Sequence, residues 1–296
     1  MMNLPAVKGE YRNNYPLKHL TWFKVGGEAE VFFKPANPAD LANFLLTKPQ
    51  NVAVTILGAG SNIIIRDKGV DGVVIKLGQN FTDIELMPDN KVAVGSACLN
   101  FNLAKFCQEH SISGCEFLIG IPGTVGGGVV MNAGSYNSEF KDIILSVEAL
   151  TSKGEFLIIT NDEIGFKYRG TNLPNDLIII KAIIQVQIGN KEEIIHKMNV
   201  ITNNRQASQP IKERTGGSTF ANPANCKAWE LIDQAGMRGY QMGGASVSQL
   251  HCNFLINHGN ASAHDLESLG ELVRDKVMQN SGISLQWEIK RIGKYA

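Results

Sequence analysis

Between Gly120 and Gly134 the chain runs Gly-Ile-Pro-Gly-Thr-Val-Gly-Gly-Gly-Val-Val-Met-Asn-Ala-Gly. Six of these residues are glycine, and none carries a side chain that titrates near neutral pH. A segment of this kind meets a ligand largely through its main chain. Glycine serves where a backbone turns sharply or approaches another group closely, and N–H groups leading into a helix attract phosphate oxygens. A turn packed against a helix is the plainer account of any one glycine. Six so close together carry a backbone-entropy cost that a connector does not need. The segment is therefore read as a main-chain cradle that opens a short helix near Thr124.

A second glycine-rich turn strengthens this reading. The short apolar strand Val54 to Leu57 runs into Gly58-Ala59-Gly60-Ser61-Asn62, and a further strand follows at Ile63 to Ile65. Gly58-x-Gly60 invites a dinucleotide-binding reading, but the third glycine of that fingerprint falls on Ile63 and no helical pattern follows, which excludes a Rossmann βαβ unit. The two turns together offer N–H groups, the Ser61 hydroxyl and the Asn62 and Asn132 amides to a pyrophosphate. Neither supplies a lysine, so a P-loop is excluded as well. Chemistry alone reaches as far as a phosphorylated cofactor.

The rest of the chain narrows the class. At 296 residues it is long enough for two domains. Its 28 basic residues balance its 28 acidic ones without blocks of like charge, so nucleic acid is not an expected partner. Thirty glycines exceed the usual ~7% and place function on loops. The start of the chain lacks an apolar signal region, and the most apolar stretch, Leu177 to Ile188, is interrupted by Lys181, Gln185 and Gln187, so no membrane partner is expected. Five cysteines with no Cys-x-x-Cys pair point to reduced thiols and a cytoplasmic setting, and the six histidines show no metal-ligand spacing, so no metal is expected.

Periodicity gives the elements. Ala29 to Lys34 reads as a strand, and Asn37 caps a helix with Pro38 in its first turn and Leu41, Phe44 and Leu45 inward. Strands are predicted at Gly72 to Leu77, Phe81 to Leu86 and Lys91 to Gly95, then a helix from Asn100 to about His110. Ser146 to Leu150 and Glu155 to Ile159 form a hairpin, followed by a capping box at Thr160 and Glu163. After the β-rich run Asp176 to Ile188, a polar helix from Lys191 to about Gln206 marks a domain boundary. Beyond it come a helix from Cys226 to Ala235, strands near Ala245 to Gln249 and Asn253 to Asn257, and a helix capped by Ser262 and Asp265. A closing strand from Leu285 to Ile292 puts Glu288 on its polar face with Gln286 and Lys290. Trp22, Trp229 and Trp287 read as packing residues, as do the cysteines, and His251 as a structural histidine.

An ordered set of motifs says more than any one of them. Gly-Ala-Gly-Ser-Asn at 58–62, Ile-Pro-Gly-Thr-Val-Gly-Gly at 121–127, Asn-Ala-Gly at 132–134, Tyr-Arg at 168–169, Gly-Ser-Thr-Phe-Ala-Asn-Pro at 217–223 and Trp-Glu-Ile at 287–289 occur in this order. From about Leu20 to Gly293 the chain resembles the UDP-N-acetylenolpyruvoylglucosamine reductase (MurB) family, in its shorter type II branch. The resemblance implies an α+β fold: an FAD-binding domain of the vanillyl-alcohol-oxidase (PCMH) type over 20–188, in two α+β subdomains of about 20–77 and 78–188, and a C-terminal α+β substrate-binding domain over 191–296. It implies non-covalent FAD, NADPH as co-substrate, and a UDP-sugar whose enolpyruvyl ether is reduced to the lactyl ether.

Site residues follow from the same resemblance. Gly58, Ala59, Gly60, Ser61, Asn62, Ile121, Pro122, Gly123, Thr124, Gly126, Gly127, Asn132, Ala133 and Gly134 match cofactor-binding positions, and Tyr168 and Asn222 match substrate-binding ones. Ser218 matches the family's proton donor, and Arg169 and Glu288 match the groups that hold negative charge delocalised into the substrate carboxylate. The chemistry suits them: a guanidinium forks onto a carboxylate, a glutamate that retains a proton hydrogen-bonds an enolic form, and a serine hydroxyl donates where its alkoxide is stabilised. Taken singly, Ser218 reads as a turn hydroxyl, Arg169 as a charge complementing a helix end and Glu288 as a solvated strand residue. Only the joint match assigns them. Another FAD oxidoreductase of this fold, or a UDP-sugar or flavin-binding module without catalysis, stays open at this stage.

Two positions depart from the family pattern. Thr171 stands where a serine is common and keeps the hydroxyl. Ala221 stands where a lysine is common and removes a cation from the expected diphosphate site.

Overall fold

The computed structural model describes residues 2–295. The described residues form two compact units interleaved in sequence: residues 2–13, 31–59 and 72–204 make the first, and 14–30, 60–71 and 205–295 the second.

The first unit is built on an antiparallel five-stranded sheet in the order Phe156–Thr160, Ile144–Leu150, Ile178–Gln185, Lys91–Gly95 and Ile84–Met87. The central strand buries one face along its whole length through Ile178, Ile180, Ala182 and Ile184, while on the other Ile179 is buried, Lys181 and Ile183 are half-buried and Gln185 is exposed. The helix Asn100–Glu109 turns Leu103 and Cys107 into that core, while Phe106 packs at its edge. The predicted strand from Phe81 begins later, at Ile84, because Gln79–Phe81 is taken up by a turn of 3-10 helix that buries the Phe81 ring.

A second core surrounds Phe33, whose ring lies tilted against those of Phe44 and Tyr11 at centroid distances of 4.8 and 4.9 Å. Here the helix Pro38–Thr47 starts as its sequence dictates, with the Asn37 side-chain Oδ1 accepting the Asp40 N–H at 2.9 Å. The strand Val54–Ile56 pairs in parallel with the end of Val70–Ile75 and leads directly into the turn at Gly58.

In the second unit, the helices Ala228–Gln234 and Ala263–Ser281 pack with the three-stranded sheet Gln241–Met242, Ala245–Val247 and Leu255–Asn257 around Leu266, Leu269, Val273 and Val277. Ser262 and Asp265 form the expected capping box. The strand Ile63–Ile65 belongs to this unit because it pairs in parallel with Lys290–Ile292. The closing segment is regular strand only over those last three residues. Ahead of them Trp287 is bridged to Phe220, and Glu288 is half-buried while Gln286 and Lys290 are exposed.

Two tryptophans differ from expectation. Trp22 and Trp229 remain 39% and 38% exposed, because their neighbours Phe23 and Ala228 take the core positions. No helix among the described residues is long and apolar enough to cross a membrane.

Candidate active site

Gly58 and Gly127 flank one hydroxyl. A β-carbon added to Gly58 would lie 3.0 Å from Thr124 Oγ1, one added to Gly127 would lie 3.4 Å from the same atom, and neither would meet anything else. Thr124 caps the helix Val125–Val130 and accepts from the Gly127 N–H at 3.4 Å. The first unit thus brings the start of one glycine turn beside the centre of the other. Behind this surface the backbone is tightly packed: a β-carbon on Gly128 would overlap the Phe140 ring, and one on Gly126 would lie 2.9 Å from Ser96 Cβ.

The turn at Gly58 presents its amides. Lys76 Nζ donates to the Gly58 carbonyl at 2.6 Å, while the N–H groups of Gly58 and Ala59 meet no acceptor among the described residues. Burial, with Lys34 nearby, lowers the pKa of Lys76. The strand Val70–Ile75 thus ends by placing a cation against a turn whose own sequence has none. Nothing in the turn motif signals this, since Lys76 lies 18 residues away. Gly60 has φ 68°, and a side chain there would overlap the Leu20 carbonyl, so this position requires glycine. Ser61 and Asn62 are half-buried, and Asn62 Nδ2 donates to the Glu288 carbonyl at 3.3 Å. Open N–H groups, side-chain-free glycines facing one hydroxyl and a lysine at the back fit the phosphates of a flavin nucleotide.

The other end of the long glycine segment is anchored by Asn132. It is fully buried at φ 40°, its Nδ2 donates to Glu139 Oε2 at 3.0 Å and to the Lys167 carbonyl at 3.1 Å, and its Oδ1 accepts the Lys141 N–H at 3.0 Å. Lys167 opens a tight turn closed by reciprocal main-chain bonds with Gly170 of 2.9 and 3.2 Å. Tyr168 and Arg169 form its tip: the ring is exposed, the guanidinium carbon lies 5.0 Å over it, and Arg169 Nη2 donates to the Gly134 carbonyl at 3.5 Å. Arg169 has φ 57°, a conformation that non-glycine residues rarely adopt and that concentrates at functional sites. Ile121, Pro122, Gly123, Ala133 and Gly134 are half-buried along the same segment, and the Gly123 carbonyl accepts the Asn100 N–H at 3.0 Å.

Ser218 and Glu288 come together in the second unit. Thr219, beside Ser218 and fully buried, accepts the Glu288 N–H on its carbonyl at 2.9 Å. Both Ser218 and Glu288 are half-buried. Asn222 is exposed, and its Oδ1 accepts the Ala228 N–H at 3.0 Å, joining it to the helix Ala228–Gln234. Ala221 is half-buried, and its N–H donates to the Gln286 carbonyl at 2.9 Å.

An α+β chain whose glycine turns present main-chain amides around one hydroxyl has the build of an FAD-binding oxidoreductase, and residues 29–160 match the FAD-binding-domain family. Residues 209–292 match the C-terminal domain of UDP-N-acetylenolpyruvoylglucosamine reductase. Reductases of that name from Rickettsia felis and Rickettsia prowazekii are each 64% identical over 295 residues, covering 100% of both chains. The crystal structure of UDP-N-acetylenolpyruvylglucosamine reductase from Thermus caldophilus superposes with a TM-score of 0.85 at 31% identity, covering 97% of this chain and all of that one. The chain belongs to the UDP-N-acetylenolpyruvoylglucosamine reductase (MurB) family. 6-Hydroxy-D-nicotine oxidase from Arthrobacter nicotinovorans, at 12% identity and a TM-score of 0.63 over 98% of this chain and 91% of that one, shares the fold alone.

Proposed function

We propose that this chain reduces the enolpyruvyl ether of UDP-N-acetylglucosamine enolpyruvate to the lactyl ether of UDP-N-acetylmuramate, oxidising NADPH in the cytoplasm as a step of peptidoglycan precursor synthesis. Residues 20–188 carry the flavin and residues 191–296 the UDP-sugar. The glycine turns would hold FAD, and the chemistry it would supply is two-electron hydride transfer between the nicotinamide and the substrate. Gly58, Ala59, Gly60, Ser61 and Asn62 hold the FAD phosphates with the segment from Ile121 to Gly134, and no covalent attachment is involved. The Arg169 guanidinium faces the substrate carboxylate, where charge accumulates after hydride addition. Glu288 hydrogen-bonds the enolic oxygen of the same group. Ser218 delivers its proton to the substrate carbon that did not receive the hydride, which completes the saturated ether. Tyr168 and Asn222 line the sugar nucleotide.

The observation that most supports the acid–base part is the bond from Glu288 N–H to the carbonyl of Thr219, because it sets the spacing of the two chemical side chains through main chain rather than through flexible side chains. The test separates the two half-reactions. Purified protein is expected to show an oxidised-flavin absorbance band that NADPH bleaches under anaerobic conditions, and the enol ether restores it. Ser218→Ala should leave bleaching intact and slow recovery by at least ~100-fold. Equal loss of both steps removes the proton-donor role.

A further inference from the structure

Asn253 is 4% exposed and holds the segment that carries Ser218 at three main-chain points. Its Oδ1 accepts the Phe220 N–H at 2.9 Å, and its Nδ2 donates to the Phe220 carbonyl at 2.8 Å. Its own carbonyl accepts the Thr219 N–H at 2.7 Å. A side-chain amide here copies the donor and acceptor of a neighbouring strand, so a segment that is not itself regular strand is gripped as if it were.

The opposite edge of the same segment is gripped by the chain around Glu288. Thr219 accepts from Glu288 N–H, Ala221 N–H donates to the Gln286 carbonyl at 2.9 Å, and Phe220 is bridged to Trp287 with ring centroids 5.1 Å apart. Ser218 in turn is bridged to Phe254, the residue after Asn253. Residues 218–221 therefore lie between Asn253 on one side and 286–288 on the other, with no regular ladder to fix their register.

We infer that Asn253 is a positioning residue for the proton-donating step, setting the register of Ser218 against Glu288 through the main chain of Thr219 and Phe220. It touches neither substrate nor flavin. The inference rests on the roles of Ser218 and Glu288 proposed above. Register slips are otherwise cheap in so short an irregular pairing, and a displacement of about 1 Å at a reacting group costs on the order of 100-fold in rate.

The experiment compares Asn253→Asp and Asn253→Ala with Ser218→Ala and with the double variant Ser218→Ala/Asn253→Asp. Asp retains the acceptor for Phe220 N–H and loses the donor to the Phe220 carbonyl, at nearly unchanged volume. Three readouts are taken: anaerobic flavin bleaching by NADPH, flavin recovery with the enol ether, and amide hydrogen exchange of Thr219 and Phe220 in the flavin-free protein. Asn253→Asp is expected to bleach at the wild-type rate, to recover on the order of 100-fold more slowly, and to exchange faster at both amides. In the Ser218→Ala background the same change should add less than about threefold, because the donor it positions is already gone. Wild-type recovery in Asn253→Asp alongside slow recovery in Ser218→Ala overturns the positioning role alone. Unaltered recovery in Ser218→Ala overturns the donor assignment on which it rests. Should Asn253→Ala fail to fold, the Asp variant and the exchange measurement decide the question.

Discussion

The side-chain amide of Asn132 donates to the main-chain carbonyl of Lys167 at 3.1 Å, and this bond ties the end of the glycine-rich segment to the turn that presents Tyr168 and Arg169. The same amide nitrogen donates to Oε2 of Glu139, whose Oε1 pairs with Lys141 Nζ, while the amide oxygen accepts the Lys141 N–H. One buried asparagine thus fixes three strands of loop.

Asparagine is the residue this arrangement needs, because two of its contacts are acceptors and one is a donor. Asn132→Ala is expected to lower unfolding free energy by about 2–4 kcal/mol, since buried partners lose their bonds together. Asn132→Asp, although closer in shape, should be the worse of the two above about pH 5, because a carboxylate then faces the Glu139 carboxylate and the Lys167 carbonyl. Urea unfolding of both variants checks the order, and an Asp variant at least as stable as the Ala one contradicts the bonding scheme.

Arg169 offers a test of backbone strain. At φ 57° a glycine replacement removes the steric penalty that any β-carbon bears, whereas alanine removes the guanidinium and retains the penalty. Arg169→Gly should therefore be more stable than Arg169→Ala by about 1 kcal/mol, while both lose turnover by on the order of 100-fold or more. Equal thermal stability of the pair would show that the turn relaxes around the arginine. Recovery of activity in Arg169→Lys would argue against a forked contact with a carboxylate.

Neighbouring glycines in one helix are expected to fail in different ways. Gly128 backs onto Phe140, so Gly128→Ala overpacks the core and should cost about 1–3 kcal/mol of stability. Gly127 is exposed and meets only Thr124 Oγ1, so Gly127→Ala should fold at least as stably, helped by up to ~1 kcal/mol of helix propensity. Its added methyl instead occupies the surface assigned to FAD, and the purified variant should carry less flavin absorbance. Full flavin content in Gly127→Ala would place the cofactor elsewhere.

What the sequence makes legible here is local or periodic. The caps at Asn37, Thr124 and Ser262 are readable because donor and acceptor lie within three residues of each other. The buried stripes of the helices are readable because they repeat with the helical period. The rejection of a Rossmann unit at Gly58 agrees with a strand that continues into another strand without a helix. Lys76 beside Gly58 and Asn253 beside Phe220 carry no such signal, since 18 and 33 residues separate each pair and only the tertiary fold unites them. Arg169, Ser218 and Glu288 are legible only as members of a family pattern. Nothing in the local chemistry of Gly-Gly-Ser-Thr distinguishes a proton donor from a turn hydroxyl.

His251 gives a pH dependence with a definite sign. Its Nδ1 accepts the Asn253 N–H at 3.3 Å, which requires that nitrogen to be unprotonated, and its ring lies edge-on to Phe254 and Trp229 at centroid distances of 4.8 and 6.3 Å. Burial, with the Arg238 guanidinium nearby, lowers its pKa below the ordinary 6.5. Arg238 is itself held by a two-pronged pair with Asp233 at 2.8 and 2.7 Å. A histidine kept neutral in the fold contributes stability that is fully present above pH 6.5 and is lost as pH falls from there through the lowered folded value, because the unfolded chain takes up the proton first. Unfolding free energy measured by urea between pH 8 and pH 5 should therefore decline below about 6.5. His251→Gln should flatten the part of that slope that one proton explains. The same titration should loosen the Asn253 main chain, so flavin recovery with the enol ether should weaken toward acid pH more steeply in wild type than in His251→Gln. Identical slopes in the two proteins would show that this histidine does not titrate differently on folding.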